Sequence, residues 1–232
     1  MIVNVGLVVL SWILLRFEKK SLNVFGLTPV AKRLFQLALG LLLAAILSIF
    51  VNVLFAQTAN FSWALNREYD SDRFFRALYS TWNSVLYEEL IFRGYIFYRL
   101  VRLLGEHKGV IISSVAFGVY HWFSYEILGN YPMMIWIFLF TGLWGLMFAY
   151  SYTRTGTILI AIGLHWGWNF MDQIVFNRNG NGFLKPIVSD QTERLNQITG
   201  FLVTSVPAII FALVAILYLT RTRNSQIPTY SP

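Results

Sequence analysis

"YEELIFRGY", residues 87–95, sets two adjacent glutamates and an arginine in the middle of a long apolar run. The composition around it decides how those charges are read. The 232-residue chain is 56% hydrophobic and 17% aromatic, and only 12% of it is charged. A soluble domain carries about 25% charged residues, so half of the usual charge is missing. Long apolar runs spread over the whole length then predict an all-α, polytopic transmembrane helical bundle. Within such a bundle an ionisable side chain costs roughly a few kcal/mol on insertion scales, and it marks either a partner or a function.

Seven spans are expected, near 1–16, 34–56, 74–98, 109–128, 132–152, 155–176 and 198–220, each close to the ~20 residues that cross a ~30 Å core. Gly109, Pro132 and Gly156 mark three of the starts. The first run begins at the initiator Met with no basic region before it and no small-residue cleavage site after it, so it is read as a short span and not as a signal peptide. Residues 57–72 and 177–197 are expected to be exposed loops, and "NSQIPTYSP" a disordered tail. The chain divides into N-terminal spans with an outer loop (1–79), a central core (80–173), and an outer loop, last span and tail (174–232). The absence of cysteine excludes disulfides and thiolate chemistry.

The net charge of +7 sits between the apolar runs, where it reads as a topology signal and not as a nucleic-acid surface. Arg16, Lys19, Lys20, Lys32, Arg33, Arg99, Arg102, Lys108, Arg154, Arg221 and Arg223 fall on one side. Arg67, Arg73, Arg76, Arg178, Lys185 and Arg194 fall on the other. The richer side is assigned to the cytoplasm, which puts the N-terminus outside and the C-terminus inside.

Helix spacing sorts the polar residues inside the runs. Glu89 and Arg93, at i and i+4, share a face and can pair. Glu88 is turned by ~100° and faces elsewhere. "FGVYH" sets Phe117 and His121 at i and i+4. "HWGWN" does the same for His165 and Asn169, with Asp172 further along that stripe. Glu88 lies 11 residues from Arg99, His121 lies 13 from Lys108 and His165 lies 11 from Arg154. At ~1.5 Å per residue these are similar depths, roughly 16–20 Å from the basic face. The spacing therefore predicts one shared site between three central helices, reached from that face.

A carboxylate beside imidazoles can act as a general base on water, and a histidine can share that role, hold a metal or donate to an oxyanion. Asn adds an uncharged donor. No Gly-x-Ser-x-Gly elbow occurs, so water is favoured over a covalent route. The bland readings are specific too. Glu89–Arg93 on its own is a buried ion pair, Asn169 a helix bridge, and Trp82, Trp122, Trp166 and Trp168 packing or interface belt. Gly163 and Gly167 suit close helix packing, and His107 a surface position.

Together "EELIFR", "FGVYH" and "HWGWN" resemble the E-E-x-x-x-R, F-x-x-x-H and H-x-x-x-N motifs of the CAAX protease and bacteriocin-processing family of intramembrane endopeptidases, over roughly residues 80–173. The resemblance implies that Glu88 activates water with His121, that His165 and Asn169 stabilise the oxyanion, and that Glu89, Arg93 and Phe117 support the geometry. It leaves open a metal-free route or a divalent metal such as zinc held by Glu88, His121 and His165. The chain has no H-E-x-x-H. The implied substrate is a peptide or protein at the bilayer, lipidated in the best-known relatives. The implied location is the cell membrane of a bacterium or the endoplasmic reticulum of a eukaryote. A proton-coupled transporter, or a non-hydrolytic immunity or scaffold member of the same family, is the competing reading.

Overall fold

In the computed structural model, which describes residues 1–188, 192, 195–222 and 225–227, the chain is a bundle of eight α-helices. They are α1 (Ile2–Phe17), α2 (Val30–Thr58), α3 (Ser71–Arg93), α4 (Tyr95–Leu104), α5 (Glu106–Ser124), α6 (Tyr131–Thr155), α7 (Ile158–Asn169) and α8 (Gln197–Thr222). A 3₁₀ turn (Leu22–Phe25) precedes α2, and one π-helical turn (Phe170–Val175) continues α7. The all-α expectation holds. Arg194, Arg223 and the tail positions 224 and 228–232 lie outside the described residues.

Several expected boundaries shift for local reasons. The run at 74–98 is two helices, because Gly94 breaks it at φ −79°, ψ −142°, where a Cβ would press on the Leu90 carbonyl. α5 begins at Glu106 after Gly105, whose φ of +84° suits glycine, so Gly109 lies inside the helix. Asn130 caps α6 through the Met133 N–H, with Pro132 in the first turn. Gly156, in the left-handed region, ends α6, and Thr157 caps α7.

The segments at 57–72 and 177–197 are not only loops. Each contributes a four-residue strand, β1 (Ser62–Leu65) and β2 (Leu184–Ile187), paired antiparallel with Ser62 opposite Ile187. By length and composition, three helical segments among the described residues suit a membrane crossing: Leu22–Thr58, Tyr131–Thr155 and Ile198–Thr222, with Ile2–Phe17 apolar but shorter. The seven expected spans exceed this count. α3 carries charges that lower its apolarity, and α7 is only 12 residues long.

The bundle has two distinct ends. At the basic end, Glu18 pairs with Arg99 at 3.0 Å, Glu106 with Arg154 at 2.6 Å, and Arg33 donates to the Thr155 carbonyl at 3.0 Å. At the opposite, sheet end, Asn66 Nδ2 donates to the Gly180 and Gly182 carbonyls at 3.2 and 3.1 Å, tying the two strand-bearing segments together. Between the ends, α7 is pressed backbone to backbone on α2. Gly40 and Gly163 make this possible, since a Cβ on either would strike the other helix's main chain. α5 and α6 form an antiparallel pair in which Trp122 Nε1 donates to the Met134 carbonyl at 2.8 Å.

Candidate active site

α3, α5 and α7 bring Glu88, His121 and His165 together. Glu88 Oε2 lies 3.8 Å from His121 Nε2 and 3.7 Å from His165 Nε2. All three residues are buried. The second Glu88 oxygen, Oε1, accepts from Ser84 Oγ at 3.3 Å, one turn earlier on α3.

Each imidazole is oriented by its other nitrogen. His121 Nδ1 lies 2.7 Å from the Phe117 carbonyl, which can only accept, so Nδ1 carries the proton. His165 Nδ1 lies 2.8 Å from Glu89 Oε1, a carboxylate oxygen that also accepts from Arg93 Nη1 at 3.2 Å. In the neutral rings both Nε2 atoms then present lone pairs to Glu88 Oε2, itself buried with no hydrogen-bond partner among the described residues. Three acceptors meet, and the cluster calls for a donor: a water molecule, or a second proton on an imidazole.

Glu89 and Arg93 are fully buried. Arg93 reaches further than the pair alone requires, because Nη2 donates to the Gly145 carbonyl of α6 at 3.1 Å. Its guanidinium also lies over the Phe117 ring, 4.3 Å from the centroid, and 5.3 Å from that of Phe148. Phe148 stacks on His165 at 4.9 Å with an 18° interplanar angle, and Phe117 stands edge-on to both histidines. A buried charge that is paired, hydrogen-bonded and covered by aromatic faces is tolerable in a low-dielectric interior.

Asn169 ends α7 one turn beyond His165, half-buried at the start of the π turn, with no side-chain hydrogen bond among the described residues. Asp172 leaves the stripe expected of it: within the π turn it pairs with Arg178 at 3.8 Å, and Arg178 donates to Asn52 Oδ1 at 3.3 Å. His107 is exposed, its Nδ1 2.9 Å from the Tyr150 hydroxyl. Trp82 packs on Trp166 and Trp168 on Trp144, away from the carboxylate.

Gly145, Phe148, Ser84 and Tyr125 escape the motif reading. Ser84 and Tyr125 each stand four residues from a motif residue, on the faces of Glu88 and His121, and that spacing could have found them. Gly145 and Phe148 belong to a helix without ionisable residues at that level, and nothing in the sequence pairs them with α3 or α7. No group of three or more His, Cys, Asp or Glu among the described residues is arranged as a metal-ligand set.

No curated protein and no solved structure matches the chain. Residues 71–171 match the family model described as type II CAAX prenyl endopeptidase Rce1-like. That stretch runs from the start of α3 into the π turn and holds Glu88, Glu89, Arg93, Phe117, His121, His165 and Asn169. Through this core the chain is similar to the Rce1-like type II CAAX prenyl endopeptidases.

Proposed function

We propose that the protein is an intramembrane endopeptidase in which Glu88 activates water against a peptide carbonyl. The observation that carries this reading is the meeting of Glu88 Oε2 with two imidazole Nε2 atoms at 3.7 and 3.8 Å, deep in a helical bundle. A water between them donates one hydrogen to Glu88 and the other to His121 Nε2. Glu88 takes its proton as the oxygen attacks the carbonyl carbon, then delivers it to the leaving amine nitrogen as the C–N bond breaks. One water is consumed, and one carboxylic acid and one amine are formed.

His165 fits the oxyanion role in one protonation state. Its Nδ1 proton is committed to Glu89, so Nε2 donates only when the ring carries a second proton. Asn169 supplies a second, uncharged donor one turn along. Glu89 and Arg93 hold the His165 ring. A divalent metal such as zinc is not needed in any of these steps.

The test uses proteoliposomes and membrane-anchored peptides, farnesylated at a C-terminal CAAX sequence or unmodified, read for cleavage by mass spectrometry. Glu88→Gln removes the base while keeping the shape, and cleavage is expected to fall by about 10²–10⁴-fold. Cleavage at the wild-type rate by the folded Glu88→Gln protein sinks the mechanism. The transporter reading finds less support, because Glu88, His121 and His165 meet at one level and the buried Glu106–Arg154 pair at the basic end is matched within itself.

A further inference from the structure

The surroundings of the cluster differ between its two sides. Toward the basic end, Glu89, Arg93, Phe97, Phe117, Phe148 and Tyr152 are all at most 2% exposed. They form successive layers. Phe117 and Phe148 cover Arg93 and His165, the Phe97 ring packs 5.6 Å from that of Tyr152, and the Tyr152 hydroxyl donates to the Val24 carbonyl at the basic end. The Glu89–Arg93 pair that adjoins Glu88 on this side is internally matched.

Toward the sheet end the polar character continues and exposure rises. Ser84, one turn up α3, donates to Glu88. Tyr125, one turn beyond His121 at the end of α5, keeps its ring 5.2 Å from the imidazole. Glu88 is 8% exposed, the Asp172 side chain 39% and Tyr125 54%. Three elements, α3, α5 and the π turn, thus each offer a polar residue on the same side of the carboxylate.

We propose that the site opens only toward the sheet end, and that water and an extended substrate peptide reach Glu88 past Ser84, Tyr125 and Asp172. This is the reverse of the access from the basic face that helix depth alone suggests. The inference rests on Glu88 being the reacting group, but the direction of access is testable without any substrate.

The chain contains no cysteine, so single cysteines report cleanly. Ser84→Cys and Tyr125→Cys are compared with Asn179→Cys, exposed in the loop at the sheet end, and Lys20→Cys, exposed at the basic end. A membrane-impermeant methanethiosulfonate is applied to the full-length protein in sealed vesicles of each orientation. Both site probes should react in the orientation that labels Asn179→Cys, and be protected in the one that labels Lys20→Cys. Labelling from the Lys20 side, or protection of both probes from either side, overturns the proposal. Two probes on different helices guard against one variant failing to fold. The result is independent of catalysis: an inactive Glu88→Gln with basal-side labelling would sink the access route alone, and an active one with sheet-side labelling would sink the mechanism alone.

Discussion

Glu89 uses one oxygen for two donors, Arg93 Nη1 at 3.2 Å and His165 Nδ1 at 2.8 Å, and this makes it the residue on which the local architecture depends. Removing its charge leaves a fully buried guanidinium with only the Gly145 carbonyl and aromatic faces. Breaking such a pair from one side typically costs about 3–5 kcal/mol. Glu88 is held by a single Ser84 hydrogen bond, worth about 1 kcal/mol. Thermal unfolding in detergent should therefore separate two isosteric changes in neighbouring residues: Glu89→Gln strongly destabilised, Glu88→Gln close to wild type. Equal stability of the two variants would refute this division of labour. The division itself was legible in the sequence, because i,i+4 spacing pairs Glu89 with Arg93 and turns Glu88 away. The Gly145 carbonyl was not, since a backbone acceptor on another helix leaves no trace in side-chain spacing.

At the scale of elements, the position of His165 is set by how closely α7 lies on α2. A methyl group on Gly163 would meet the Leu37 carbonyl oxygen and the Leu41 backbone nitrogen, so the helices must separate to admit it. Overpacking of this kind costs about 1–3 kcal/mol. Gly163→Ala should lower the unfolding temperature and weaken cleavage, because His165 moves with its helix. Gly6, on α1, has no atom within 4 Å of an added Cβ. Gly6→Ala should be neutral or stabilising by up to about 1 kcal/mol, the helical cost of glycine. A Gly163→Ala protein as stable as Gly6→Ala would show that the close approach is dispensable. The H-x-x-x-N spacing made α7 readable as a functional helix, and the pair of glycines marked its packing face. The π turn after Asn169 was not readable. It changes the backbone hydrogen-bond register without changing any spacing, and so Asp172 was placed on the His165 stripe when it faces Asn52 and Arg178 instead.

For the whole molecule, the charge distribution and the fold agree on two ends, which the sequence implied through its basic loops. The two-stranded sheet at the other end was invisible. Each strand has four residues, and the partners are more than a hundred residues apart in the chain, so no local alternation marks them. The ends give a prediction about orientation. The sequence's division of its loop charges, eleven basic residues on one side and six on the other, predicts that the basic end faces the cytoplasm. Asn179→Cys should then react with an impermeant thiol reagent in intact cells, and Lys20→Cys only after permeabilisation. Replacing Lys19, Lys20 and Lys32 by Gln reduces eleven to eight, close to the six opposite. Among the described residues none of the three lysines is in a salt bridge, so the fold should survive while the bias weakens. Asn179→Cys in that background should divide into reactive and protected populations. A single, fully reactive population would mean that orientation is fixed by the later loops, where Arg99, Arg102 and Lys108 lie next to the site-bearing helices.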